Sequence, residues 1–274
     1  MAIITVSRKV GSWGETISKL AAEKLGYRVV TPEEFHRLAE ACDSDFKKAC
    51  SVFETEMPGG MIERFFLREP AYTSLFEALN FELAAGGDVV IWGRGAQIVL
   101  ADQPGVFHVR VVAPFELRVR RIMERDSLDY EVAAGAVKRF DRQRRTMIEA
   151  IYHKDRSDWG LYDLVINTAH IANETAANMI FEAVKNIAMP PDWEDQKRQF
   201  KELGFAKRVE SAIKLKLHTG PYRNIEVENK GKGRIILRGF ITDKRSLDLA
   251  LDIASGYPGV TEVENRLKEA TLSF

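Results

Sequence analysis

Val6-Ser7-Arg8-Lys9-Val10-Gly11-Ser12-Trp13-Gly14-Glu15-Thr16 is the stretch on which the reading of this chain turns. An apolar run, residues 3–6, leads into it, and a helix-period stretch through Ile17, Leu20, Ala21 and Leu25 leads out. Strand, glycine-bearing turn and helix together aim a helix N-terminus and several free N–H groups at one spot, which suits a phosphate. A structural βα turn without a ligand is the plain alternative for the same residues.

Outward from this turn the chain alternates. Residues 3–6 read as a strand apolar on both faces, as in a buried parallel sheet, and the helix of residues 14–25 stops at Gly26, a residue suited to a left-handed cap. Residues 27–30 give a second strand. Thr31-Pro32-Glu33-Glu34 starts a helix with a capping hydroxyl, proline at the first position and acids in the first turn. That helix runs through Phe35, Leu38, Ala39 and Cys42 to about residue 53, Met57-Pro58-Gly59-Gly60 breaks it, and residues 61–70 read as a flap. A strong amphipathic helix follows at 71–85, then a strand at 88–92 that gives at once onto Gly93-Arg94-Gly95-Ala96. A strand at 106–112, a helix opened by Pro114, an arginine-rich helix at 130–152, a strand at 162–166 and a helix at 173–188 complete the alternation.

This order predicts an α/β fold, a parallel sheet with helices on both faces. Ligands of such sheets sit beyond the carboxyl ends of the strands. Arg8, Gly11, Gly14 and Arg94 all follow strand ends, so they are expected to face one crevice. Met189-Pro190-Pro191-Asp192-Trp193 interrupts the pattern, and residues 189–204 read as a partly helical linker. Beyond it come a helix at 209–217, strands at 225–228 and 234–239, a helix at 246–255 and a strand at 260–267, an αββαβ module. The expected units are therefore 1–188, a linker 189–204, and 205–274.

The 274 residues carry 40 basic and 40 acidic side chains, which cancel, so composition gives no pull toward nucleic acid or anionic membrane. No secretory signal and no run of about 20 apolar residues is visible, and a cytoplasmic location is the expectation. Cys42 and Cys50, eight positions apart in one expected helix, would be separated by about 12 Å, beyond disulfide reach. They read as free thiols of a reducing compartment. The five histidines, at 36, 108, 153, 170 and 218, show no metal spacing.

Several motifs, in order, carry a resemblance. They are Ser7-Arg8 before Gly11-Ser12-x-Gly14, Gly93-Arg94-Gly95-Ala96 after a buried strand, Arg118-x-x-Arg121-Ile122, Asp141 with Arg144 and Arg145, and Tyr162-Asp163-Leu164-Val165-Ile166-Asn167-Thr168. On these, residues 1–188 resemble the cytidylate kinase-like family, relatives of the nucleoside monophosphate kinases. The resemblance implies a P-loop kinase-like parallel sheet with an arginine-rich lid. Residues 205–274 resemble a BON domain through Ile225-x-Val227, Leu237-Arg238-Gly239 and Gly259-Val260-x-x-Val263-x-Asn265.

Carried over residue by residue, the resemblance implies that Gly11, Ser12 and Gly14 cradle phosphates with backbone N–H groups. Arg8 supplies positive charge, Arg94 touches a phosphate or base, and Asp141 with Arg144 holds the acceptor or closes the lid. Arg118 and Arg121 gather the triphosphate, and Thr16 is the hydroxyl for magnesium. ATP and Mg²⁺ are the implied cofactors, with a nucleotide or phosphate-bearing small molecule as ligand. A Walker A loop carries a lysine and a hydroxyl. Here the lysine position falls near Gly14, and Trp13 stands where a glycine is commoner in the family.

Two functional readings follow. One is a kinase moving phosphate from ATP to a nucleoside monophosphate or related acceptor. The other is a catalytically inactive nucleotide- or phosphate-binding regulator whose BON-like domain docks a protein or phospholipid; a homo-oligomer is compatible with either.

Overall fold

The computed structural model describes residues 2–40, 70–217 and 224–269. The helical reading of 41–53, the flap of 61–69 and both cysteines lie outside the described residues.

Five parallel strands form the first sheet in the order β2-β3-β1-β4-β5. They are β1 (Ile3–Arg8), β2 (Arg28–Val30), β3 (Val89–Trp92), β4 (Val106–Val112) and β5 (Leu164–Asn167). β1 is central and all six of its residues are buried, as its apolar run requires of a strand covered on both sides. Ile3 stands level with Val89 on one side and Val106 on the other.

The strand alternation sorts the core into two layers. Ile3, Val89 and Ile91 face α2 (Pro32–Glu40) and α3 (Pro70–Gly86) through Phe35, Phe76 and Leu79. Ile4, Val6, Val90 and Trp92 face α1 (Gly14–Leu25) and α7 (Asn173–Lys185) through Ile17, Ala21, Ala177 and Ile180. Between these lie α4 (Ala96–Val99), α5 (Phe115–Asp126) and α6 (Tyr130–Tyr152). α1 keeps its expected limits because Gly26, at φ 71°, closes it with its N–H on Ala22 and Glu23 carbonyls. Thr31 caps α2, its hydroxyl accepting from Glu34 N–H at 3.3 Å. Since β3 and β4 flank β1 on opposite sides, the connections leave a crevice beyond its carboxyl end.

The stretch read as a linker is largely one helix, α8 (Trp193–Leu217). Asp192 starts it, accepting the N–H groups of Glu194 (2.9 Å) and Asp195 (3.1 Å) on one carboxylate oxygen. The helix serves two cores. Phe200 is fully buried against the first sheet's layer, stacked 6.4 Å from Phe81 of α3. Ala206, Val209, Ile213 and Leu217 belong to a second core with the small sheet. Gly204 permits the close approach, since a Cβ there would meet Glu82 Cγ at 3.1 Å and the Ala78 carbonyl at 3.3 Å.

That small sheet has the order β6-β7-β8, with β6 (Ile225–Asn229) antiparallel to β7 (Arg234–Ile241) and β7 parallel to β8 (Glu262–Glu269). α9 (Lys244–Gly256), capped by Asp243 on Ser246 N–H, covers it beside α8. The αββαβ order expected from sequence is observed.

A buried ionic cluster ties α3, α8 and β6 together. Glu210, 2% exposed, accepts from Lys214 (2.6 Å), Ser74 (2.7 Å) and Val227 N–H (3.2 Å). Lys207 bridges Glu210 and Glu77. Burial alone would raise the Glu210 pKa, but Lys214 and Lys207 outweigh it and hold the carboxyl below its ordinary 4.5. Removing one partner of a buried pair costs about 3–5 kcal/mol, and that loss is expected for Glu210→Ala in urea unfolding. Because the folded-state pKa is depressed, the carboxylate's contribution is present above about pH 4.5 and lost as pH falls through the folded value. Glu210→Gln is therefore expected to flatten the acid side of a stability–pH profile.

Candidate functional site

The turn after β1 is held from inside. Ser12 is fully buried, its hydroxyl donating to the carbonyls of Lys9 (2.7 Å) and Val111 (3.2 Å) and its N–H to Lys9 O at 3.2 Å. Its polar groups fix the turn, so the N–H expected to face phosphate is engaged within the loop. Gly11, at φ 73°, lies under α5: a Cβ there would sit 2.7 Å from the Arg118 carbonyl. At Gly14 a Cβ would sit 2.6 Å from Arg8 Cβ and 3.2 Å from Val111 Cβ. A side chain at this first position of α1, a lysine included, would require Arg8 or the turn to shift. Trp13 is left-handed at φ 61°, and its indole is 36% exposed with the Arg121 guanidinium 5.6 Å from the ring centre.

The structure brings Arg8, Arg94 and Arg144 to one cleft of about 320 Å³, beyond the ends of β1 and β3. Trp13 lines a neighbouring pocket instead. Arg8 is buried, ion-paired to Glu15 at 2.8 Å and placed 4.9 Å over the Trp92 ring. Both of its bonds to that carboxylate use Oε1. Arg94 stands at φ 58° between Gly93 at 68° and Gly95 at 74°. Three successive left-handed residues make a tight reversal, and Tyr152 closes on it so nearly that a Cβ at Gly95 would lie 2.3 Å from its ring.

Arg144 donates to the carbonyl of Arg8 at 2.8 Å. Burial, with the charges of Arg8 and Arg156 beside it, pushes its pKa down to about 9. Arg156 was not among the residues expected at the site, yet it lines the cleft. It donates to Arg8 O at 2.6 Å and Ser7 Oγ at 3.2 Å, and burial and Arg110 lower its pKa to about 10. The sequence signal for it was a lone arginine in the loop before β5. Among the described residues, no carboxylate lies within ion-pair distance of Arg144 or Arg156.

Asp141 and Arg118 are not brought to this cleft. Arg118 is buried and holds Asp141 with two bonds, at 2.8 and 3.2 Å, while donating to Ala113 O and Val10 O. This pair fastens α5 to α6 and to the turn. Arg121 donates to Gly11 O (3.2 Å), Thr168 Oγ1 (2.9 Å) and Thr168 O (2.9 Å). With Gly11, Gly14, Glu15, Thr16 and Arg144 it lines the neighbouring pocket of about 150 Å³. Tyr162 packs inside, its hydroxyl accepting from Arg110 at 2.8 Å. Trp159 is 61% exposed and lies 5.9 Å from the Arg110 guanidinium. Among the described residues, no cluster of histidine, cysteine or carboxylate side chains is arranged to hold a metal ion, and no helix is long and apolar enough to cross a membrane.

A parallel sheet with a turn, a cleft and an arginine wall at the end of its central strand is the layout of a nucleotide kinase-like fold. Residues 3–170 match the cytidylate kinase-like family, and the chain belongs to it. Residues 205–271 match the BON domain. The cytidylate kinase of Ignicoccus hospitalis is 28% identical over 181 residues, covering 66% of this chain and 97% of the relative. That of Methanocaldococcus jannaschii is 26% identical over 189 residues, covering 68% and 98%. An uncharacterized protein from Eubacterium ventriosum shares the fold, with a TM-score of 0.51 at 22% identity over 68% of this chain and 99% of its own.

Crowding at position 14 has a measurable consequence. Gly14→Ala is expected to cost about 1–3 kcal/mol by overpacking in urea unfolding, and Arg8→Gly in the same chain to return part of that loss.

Proposed function

We propose that residues 1–188 bind a nucleoside monophosphate or related phosphorylated acceptor in the 320 Å³ cleft and transfer to it the terminal phosphoryl group of ATP. The observation that carries this reading is the wall of Arg8, Arg94, Arg144 and Arg156, of which Arg144 and Arg156 have no carboxylate within ion-pair distance among the described residues. Buried cations without counter-charge are costly, and a phosphate offsets them with charge-assisted, bidentate bonds. In this reading the ATP phosphates lie in the neighbouring pocket, against Arg121, Arg144 and the first turn of α1. Arg8 supplies from the strand the charge that a lysine at position 14 would supply from the helix.

Magnesium fits the donors present. Thr16 and Glu15 both line the pocket, and Arg8 leaves Glu15 Oε2 unused. An ion that keeps several waters and takes one or two protein oxygens beside phosphate needs no larger set. When bound, it neutralises charge developing on the phosphoryl oxygens. Residues 205–274 act in this reading as a docking unit for a protein or phospholipid, in a cytoplasmic chain.

A second reading, a nucleotide-binding regulator without turnover, is favoured by the crowding at Gly14. One set of measurements separates the two: melting temperature and ADP release with each of the four nucleoside monophosphates, with and without ATP and magnesium. A raised melting temperature with ADP release above a no-enzyme blank supports transfer. A raised melting temperature without release selects the regulator, and no shift with any nucleotide ends both.

Two variants probe the wall. Loss of a hydrogen bond to a charged group costs about 1.5–3 kcal/mol, so Arg144→Ala is expected to weaken monophosphate binding roughly 10- to 100-fold by calorimetry. Glu15→Gln removes the charge of the exposed carboxylate that pairs with buried Arg8, a contribution of up to about 1 kcal/mol, and binding is expected to tighten by up to about fivefold.

A further inference from the structure

A second cavity, of about 310 Å³, opens beside the end of β4 between α5 and α6. Only Arg156 is shared with the cleft, and only Lys9 with the pocket at the turn. Six cationic side chains line it: Lys9, Arg110, Lys138, Arg142, Arg145 and Arg156. Asp141 is the one carboxylate among the lining residues, and Arg118 already takes both of its oxygens. Among the described residues, none of the six has a carboxylate within ion-pair distance.

Arg110 gives a second, independent indication. It is 4% exposed and donates through Nη1 to Tyr162 Oη and Arg156 O, while its Nε–H is buried without a partner. Arg110 thus keeps a buried charge beside two neutral acceptors with no carboxylate in ion-pair distance among the described residues, a desolvation cost that an anion in the cavity offsets. Lys9 agrees: burial lowers its pKa, and Arg118, Arg110 and Arg156 lower it further against the opposing pull of Asp141. The wall offers one aromatic ring, Phe115, which already has Arg118 at 5.8 Å and Lys138 at 5.6 Å. Recognition here is by charge.

We propose that this cavity is a second anion site, which takes a short chain of linked phosphoryl groups against Arg110, Lys138, Arg142 and Arg145. Such a chain exists free, as inorganic polyphosphate. Arg110 is built into β4 and Arg156 into the loop before β5, both buried, so the exposed residues of α6 are the ones to vary.

The test is calorimetric titration of the full chain with inorganic tripolyphosphate, and separately with ATP. Lys138→Ala/Arg142→Ala is expected to weaken tripolyphosphate binding about tenfold or more, and Arg142→Gln/Arg145→Gln to do the same. Arg94→Ala, in the first cleft, is expected to leave it within about twofold. Equal melting temperatures without ligand check that the variants are folded. ATP, whose phosphates the proposed function places in the pocket at the turn, is expected to bind both α6 variants unchanged, and ATP weakened in parallel overturns the proposal. Tripolyphosphate affinity unmoved by both α6 variants, or reduced equally by Arg94→Ala, or matched by sulfate at equal ionic strength, overturns the proposal. Monophosphate binding, read on the same samples, reports on the first cleft separately, so failure there leaves this result standing.

Discussion

The first turn of α1 lies so close to the end of β1 that a side chain at position 14 would require Arg8 or the turn to shift. Everything about the cleft follows from that contact. Positive charge does not come from position 14 of the helix; it comes from the strand, through Arg8, and from two segments that reach over it, through Arg144 and Arg156. The last two are anchored on the carbonyl of Arg8. A carbonyl fixes a guanidinium in place without cancelling its charge, whereas a carboxylate would do both. Arg144 and Arg156 are therefore held in place with no carboxylate within ion-pair distance among the described residues, which is the condition under which an anion gains most from entering.

Arg8 is the exception, since Glu15 pairs with it and Trp92 lies beneath it. Arg94 is presented differently again, from a left-handed reversal that a non-glycine residue adopts at a cost of about 1–3 kcal/mol. Trp13 occupies the same backbone region. Both strained residues border the crevice, one in the cleft and one in the pocket beside it. The surrounding packing, Tyr152 on Gly95 and α5 on Gly11, holds these turns in shape.

Much of this architecture was legible because its signals are local. The two-faced apolar run at residues 3–6, the Gly26 cap and the Thr31-Pro32 start each act through their own neighbours, and the strands and helices stand where those signals put them. The strand-end reading put Arg8, Gly11, Gly14 and Arg94 at one crevice; Arg8 and Arg94 line the cleft, while Gly11 and Gly14 line the pocket beside it, and Arg144 was pointed to only by the family resemblance. Arg156 was not legible, because its place depends on a loop closing over Ser7, and nothing in the order of residues 154–158 encodes that. The partnership of Arg118 with Asp141 was hidden for a similar reason: spacing shows which residues share a helix face but not which facing helix carries the opposite charge. The helical character of residues 193–204 was masked by two prolines and a polar surface, although Asp192 two positions after Pro190 is an ordinary cap. Its apolar anchors, Trp193 and Phe200, are two residues, too few for a periodic pattern.

α8 has a bearing on how this chain can be cut. Its 25 residues make a rod of about 37 Å, one half roofing the large sheet's helical layer and the other forming a wall of the small sheet. A fragment ending ahead of Trp193 would lay Phe81 and its neighbours bare, and one beginning after Gly204 would surrender the carboxylate cluster that Ser74 and Glu77 complete. The terminal module is thus grafted through a shared beam instead of hung on a tether, and force applied to one sheet is delivered to the other without slack.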